Sequence, residues 1–582
     1  MLHQDLQPHL GFSTGDTGLE AEQRYGPKLE QYLRAGYFDL SQREPPTYDE
    51  AFEAIESLRE DLDVTYKDFE TILSMEKSPA CVNLYLLLST PEDEFIGIFP
   101  ACVNLLRMYC NAEGHGILDH AYGFLCLRVM SLVVQLAMSA FNNWKDSKWF
   151  EPFYLATAAL SEGQSAHLTL YEHMQELLDW SKGLNPKDRD LTLFGVCYNA
   201  ENRRVVCLPP TGECSIPDAE FLVEKLWSAR DKFLLAARWD THLFPGLGVM
   251  LHMICALFAA PHLKSSIPMS TWTLSDDDPT WVHFLELVTR YSLCCKESEV
   301  NRMAAMLNKF PEAARAAFER KSGVYAVNEL DATQVAVDVS NKLKAPSDAP
   351  MFLILHEFLY GCAITTSSVA ESLGCAIFDA FFDKIWIELC RHKEPTGDQL
   401  YRLLHSCNSM THGYVLITLK HQDKAKFFLD YLSEKVIEVH ARMILLPLLT
   451  QTLRRTISSM DIYEDQFRTW TTQLTMGLIS SRTKVPEKLT AALFPTWYKI
   501  FEHLQFYAYV IDNPEQKMER EYFRGWVCSW VSLGLMYEMG EILLGDPPLC
   551  SYLRCPTPPV MIGWKCEGCD DRRYCTRRCQ IA

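Results

Sequence analysis

The sequence predicts a mainly α-helical protein, a large multi-helix bundle or an irregular α-solenoid, with a small cysteine-rich module at its C-terminal end. Three observations carry this reading. Apolar residues recur at helical spacing behind capping signals along most of the chain. Alternation of the kind a strand needs is confined to one pair of short segments. Six of the 21 cysteines fall between Cys550 and Cys579, among charged neighbours that belong to no core.

In chain order, residues 1–46 are polar, carry Gly11, Gly15, Gly18 and Gly26, and end in Pro45-Pro46, so they read as a flexible N-terminal arm. A helical body is expected over 47–545. It opens on Thr47-Tyr48-Asp49-Glu50, a capping box in which Thr47 and Glu50 satisfy each other's backbone N–H groups, and continues in the apolar stripe Phe52, Ile55, Leu58. Ser78-Pro79, Thr90-Pro91 and Ser215-Ile216-Pro217-Asp218 repeat the helix-start grammar, the last opening an amphipathic segment that runs to Trp239. Further helices are predicted over 116–141, 149–182, 245–260, 280–295, 297–320, 350–361, 367–391, 397–406, 422–456, 461–480, 486–510 and 515–545. A single hairpin, Leu191–Cys197 with Arg204–Leu208, flanks the turn-rich Asn199-Ala200-Glu201-Asn202. The hexapeptide Pro-Ala-Cys-Val-Asn-Leu occurs at 79–84 and again at 100–105, which leaves a stacked-repeat solenoid and an irregular bundle both open.

Composition bounds the function classes. With 48% hydrophobic and 22% charged residues the chain is an ordinary globular protein. Its formal charge of −20 repels phosphate backbones and anionic lipid surfaces, so nucleic acid is a disfavoured partner. Arg572, Arg573, Arg577 and Arg578 make a local basic patch, but Glu567, Asp570 and Asp571 lie among them and the patch reads as a solvated surface. The apolar stretches Phe124–Phe141 and Phe244–Pro261 are interrupted by polar residues, glycine and proline, so no membrane partner is expected. Met1-Leu2-His3-Gln4-Asp5-Leu6 lacks the basic-then-apolar order of a secretory leader, and thiols scattered through the body, as at Cys126, Cys255, Cys294 and Cys295, suit a reducing compartment. A cytoplasmic or nuclear location is expected.

The tail reads Cys550-x4-Cys555-x10-Cys566-x2-Cys569-x5-Cys575-x3-Cys579. Zinc takes four soft ligands in a tetrahedron, and ligand pairs two to four residues apart grip the ion from one turn of chain. The expected cofactor is therefore Zn2+, with Cys550, Cys555, Cys566, Cys569, Cys575 and Cys579 as the candidate ligands. A zinc held by four thiolates has no open position for water, so the site is structural.

Cys566-Glu567-Gly568-Cys569 and Tyr574-Cys575-Thr576-Arg577-Arg578-Cys579-Gln580 resemble the MYND zinc finger, and residues 550–582 are similar to a truncated copy of it. The layout, a long helical body with such a finger at its end, is similar to that of fungal MYND-finger proteins. The resemblance implies cross-braced binding of two ions, with Cys550, Cys555, Cys575 and Cys579 on the first and Cys566 and Cys569 on the second. It also implies a protein-interaction role, with a protein or a short proline-containing peptide as partner. The chain departs from the family at its first pair, spaced x4 where x2 is usual. It also ends at Ala582, before the last two ligands of the second ion, which leaves that site empty, completed from the body or lost with a missing C-terminus. A single zinc on Cys566, Cys569, Cys575 and Cys579 is the open alternative.

Catalytic motifs are sparse. His405-Ser406-Cys407-Asn408 resembles part of the SET methyltransferase string but follows Leu404 where Asn is required; His356-Glu357 opens a zincin pattern that fails at Tyr360. Asp276-Asp277-Asp278-Pro279 reads as a solvated loop and helix start, and His242, His252 and His262 as separate surface or core residues. The expectation is a non-enzymatic interaction scaffold; the alternative is an enzyme whose active site lies unrecognised in the helical body.

Overall fold

The computed structural model describes residues 22–35, 44–60, 63–75, 97–112, 114–143, 196–198, 204–206, 214–243, 246–264, 279–295, 299, 303, 327–344, 374–390, 434–445, 487–510, 517–536, 564–565 and 573–574. The protein is mainly α-helical, and none of the described helices is long and apolar enough to cross a membrane. The chain divides into two compact units, 1–322 and 323–582, so the span read as one body, 47–545, contains a division.

The first unit begins with α1 (Leu29–Arg34), α2 (Tyr48–Arg59) and α3 (Tyr66–Ser74). α2 starts where the capping box predicts. Glu50 N–H donates to Thr47 Oγ1 at 3.3 Å, and the Glu50 carboxylate accepts the Thr47 N–H at 2.8 Å. The buried face of α2 is Ala51, Ala54, Ile55 and Leu58, whereas Phe52, expected in the stripe, is exposed and stacks on Tyr48. α3 starts the same way, with the Asp68 carboxylate accepting the Thr65 N–H at 2.7 Å.

α4 (Ile98–Arg107) carries the second copy of the repeated hexapeptide and runs directly into a π-turn, Met108–Ala112; the first copy, 79–84, lies outside the described residues. α5 (Ala121–Asn143) follows, and α3, α4 and α8 (Leu247–Lys264) all pack on it. Every residue from Ala121 to Leu136 is buried. The polar ones are satisfied in part along the helix itself: Ser131 Oγ donates to the Leu127 carbonyl at 2.9 Å and Gln135 Nε2 to the Ser131 carbonyl at 3.2 Å. The hairpin is present as β1 (Val196–Tyr198) and β2 (Arg204–Val206), antiparallel with Cys197 opposite Val205.

The segment expected to run unbroken from Ser215 to Trp239 is two helices, α6 (Ile216–Ser228) and α7 (Arg230–Leu243). The break falls at Ala229, whose φ of −102° and ψ of 28° leave the helical basin. It is held from outside. Arg290, on α9 (Pro279–Cys294), donates through Nη1 to the Arg230 carbonyl at 3.1 Å and so ties the first residue of α7 to α9. α8, expected over 245–260, continues through Pro261 to Lys264.

One correction concerns the N-terminus. Within the segment read as a flexible arm, residues 22–35 are packed: Tyr25, Leu29, Tyr32 and Leu33 are buried, and the Tyr32 hydroxyl donates to the buried Glu70 carboxylate at 2.7 Å. Leu29 N–H donates to the Asp119 carbonyl and Ala121 N–H to the Pro27 carbonyl, tying this stretch to the start of α5. The apolar residues had been diluted among glycines and charges, so the local pattern understated a segment whose order comes from tertiary contacts.

In the second unit α10 (Glu329–Lys344), α11 (Gly374–Cys390), α12 (Glu434–Leu445), α13 (Glu487–Val510) and α14 (Lys517–Met536) pack each on the next. The α13–α14 pair is locked by a reciprocal bond: Trp497 Nε1 donates to the Trp530 carbonyl and Trp530 Nε1 to the Trp497 carbonyl, both at 3.0 Å. Gly534 makes the approach possible, since a Cβ there would sit 2.2 Å from the Trp497 ring. Gly534→Ala should therefore destabilise the second unit by about 1–3 kcal/mol, the range for overpacking a core. A lower denaturation midpoint for its tryptophan fluorescence is the expected reading, and an unchanged midpoint would show that the ring moves aside freely.

Candidate functional site

The six cysteines proposed as zinc ligands lie outside the described residues, as do His356, Glu357, His405–Asn408 and Asp276–Asp278. What is described beside the cysteines is a two-rung antiparallel ladder: β3 (Trp564–Lys565) pairs with β4 (Arg573–Tyr574), Trp564 opposite Tyr574 and Lys565 opposite Arg573. The strands thus bracket residues 566–572 in sequence, with Cys566 following β3 and Cys575 following β4. Among the described residues no group of three or more His, Cys, Asp or Glu side chains is placed to hold a metal.

The described thiols of the body are of another kind. Cys126 and Cys255 are wholly buried, and burial pushes both thiols well up; Cys110 is pushed up to about 11 and Cys214 to about 12, again chiefly by burial. Cys126 Sγ donates to the Cys102 carbonyl, and Cys294 and Cys295 donate back into their own helix. Cys110, Cys126, Cys214 and Cys255 therefore stay protonated near neutrality and pack as small apolar side chains. His252 sits buried in α8 with Nδ1 3.2 Å from the Gly248 carbonyl, a core histidine; the side chains of His242 and His262 lie outside the described set.

Two polar clusters in the first unit were not legible beforehand. The first lies where residues 22–35 meet the π-turn and the start of α5. Tyr25 packs on Tyr109 with centroids 4.9 Å apart and edge-on to Tyr122 at 5.1 Å; His115 stacks on Tyr109 at 5.1 Å and meets His120 edge-on at 5.0 Å. The Tyr109 hydroxyl and His120 Nδ1 share a hydrogen bond of 2.8 Å. Beside them Asp119 accepts from Gly116 N–H at 2.6 Å and from Lys232 Nζ at 2.5 Å. Burial opposes ionisation of Asp119, but the Lys232 and Gly116 hydrogen bonds outweigh it and hold its carboxyl below the usual range. Burial, followed by the nearby His115, Lys232 and Lys28, lowers His120 despite the attraction of Asp119.

The second cluster centres on Glu286 of α9. Its Oε2 accepts Trp227 Nε1 at 2.6 Å, and its Oε1 lies 3.2 Å from Arg290 Nε and 3.3 Å from Arg230 Nε. The Arg230 guanidinium also covers the Trp227 ring at 4.2 Å, and His283 stacks on that ring at 3.7 Å. Each group has its partner in the cluster, and the arrangement staples the α6–α7 break to α9. It is built as a structural network, with no nucleophile and base brought together.

A third space, between Leu118, Phe124, Leu127, Leu226, Phe233 and Leu247, has room for no more than a water-sized guest. No family model matches the chain, and neither a curated protein nor a solved structure is significantly similar to it.

The lowered His120 sets the sign of a pH effect. The folded state favours neutral imidazole, while the unfolded chain takes up a proton near its ordinary value of about 6.5. The stability contribution is thus fully present above about pH 6.5 and is lost as pH falls through the folded value. The urea midpoint of the wild-type chain is expected to drop between pH 7.5 and 5.5 more steeply than that of His120→Gln; parallel slopes would remove His120 as a contributor.

Proposed function

We propose that the chain is a non-enzymatic interaction scaffold, a helical body bearing a C-terminal module that binds zinc through cysteine thiolates and captures a short proline-containing peptide of a partner protein. The observation that carries this is the run Cys550-x4-Cys555-x10-Cys566-x2-Cys569-x5-Cys575-x3-Cys579 in a setting of charged residues. The donor set fits the ion, since soft thiolates in close pairs suit zinc. So short a segment buries too little apolar area to fold by itself, and metal binding would supply the missing folding free energy. The contrast with Cys110, Cys214 and Cys255 of the body supports the reading: those three are buried and raised, and so unsuited to ligation.

The resemblance to MYND fingers divides the cysteines between two ions, Cys550, Cys555, Cys575 and Cys579 on one and Cys566 and Cys569 on the other.

Elemental analysis of the purified chain tests this. Cys575→Ser and Cys579→Ser should each lose zinc with the body's far-UV helicity unchanged. Replacing Cys550 and Cys555 together should also lose an equivalent of zinc; full retention would favour the compact site, and absence of zinc from the wild-type chain would overturn the proposal.

A further inference from the structure

The segment before α2 carries a second feature, independent of the cysteine tail. Pro45-Pro46-Thr47-Tyr48 is at once a helix start and an extended proline strand. Each proline holds φ near −65°, and Glu44 and Pro45, each preceding a proline, are kept extended. Thr47 has φ −66° and ψ 162°, within the polyproline II region. That conformation has three residues per turn, so residues 45 and 48 share one edge about 9 Å apart, while residue 46 points elsewhere.

Burial follows that geometry: Pro45 is exposed, Pro46 is buried and Tyr48 is 40% exposed. The exposed edge is apolar and continues along α2, where Phe52, 38% exposed, stacks on Tyr48 with centroids 6.1 Å apart. Glu44, Asp49, Glu50 and Glu53 surround it, all exposed. A capping box needs only Thr47 and Glu50. It explains neither two prolines ahead of the cap nor an outward tyrosine beside a second outward aromatic ring.

We propose that Pro45-Pro46-Thr47-Tyr48 is a docking sequence for a proline-reading domain of the WW type. Such domains hold polyproline II segments in a groove walled by aromatic side chains, and the preformed conformation lowers the entropy lost on binding. Pro45 and Tyr48 supply the two rings for adjacent slots of that groove, and Thr47 occupies the position that tolerates any residue. The acidic surround selects a groove with a basic rim. The buried Pro46 becomes accessible by release of the first turn, which is held at its start by the Thr47–Glu50 hydrogen bonds on an exposed surface.

The test titrates the full-length chain against a panel of purified WW domains, with an SH3 domain as a second reader of polyproline II. Saturable binding to a WW domain is expected, weakened at least tenfold by Pro45→Ala and by Tyr48→Ala. Both replaced side chains are exposed, so the far-UV spectra should match the wild type. Thr47→Ala removes the cap but keeps the Pro-Pro-x-Tyr spacing, and should bind at least as well. No saturable WW binding, binding by the SH3 domain alone, indifference to both substitutions, or equal loss in Thr47→Ala would each overturn the proposal.

Discussion

The layout of the first unit follows from one constraint: α5 is covered on every side over Ala121–Leu136. A helix without a wet face cannot rest on a single neighbour, and α1, α3, α4 and α8 all pack on it. Its entry shows how tightly the cover fits. A Cβ at Gly123 would fall 1.7 Å from the Ile117 carbonyl oxygen, so the turn before α5 folds directly onto its first residues. The same closeness brings Asp119 and His120 against residues 27–29, which is why the early segment is part of the fold.

How much of this was legible depends on where each element's order comes from. α2 and α6 carry their own instructions in a capping residue followed by helical spacing, and α9, α13 and α14 in helical spacing alone; all five start within a few residues of where those signals lie. The β1–β2 hairpin was legible from its two β-rich arms around a turn. α10 was not: Leu330 and Val337 are exposed on it while Asp331 and Asp338 are buried, so its apolar spacing misstates the buried face. Its start rests on Asn328, whose side chain accepts the Asp331 N–H at 2.9 Å, a cap without the usual apolar run behind it. The break at Ala229 was equally hidden, because the group that stabilises it, Arg290, comes from 60 residues away.

For the candidate sites the balance is reversed. The cysteine spacing is a local chemical signal that needs no fold to be read, and the structure adds to it only the register of the two strands that bracket Cys566–Arg572. The Tyr25–Tyr109–His115–His120 cluster and the Glu286 network are assembled across long sequence separations, and no spacing rule reaches them. Pro45-Pro46-Thr47-Tyr48 falls between these cases: its letters are visible in the sequence, but the outward-facing edge that makes it a docking candidate depends on which proline is buried. The two candidate docking elements lie near opposite ends of the sequence, one in each compact unit.

The crossed tryptophan bonds of α13 and α14 have a mechanical consequence. Each helix provides one donor and one acceptor, so sliding either along the other breaks both bonds together, and rotation is blocked where Gly534 meets the Trp497 ring. A helix of 24 residues is about 36 Å long. Pro495, two residues before Trp497, brings no N–H to the helix ladder, so the tryptophan clamp ties this helix to its neighbour beside the turn that bends most easily.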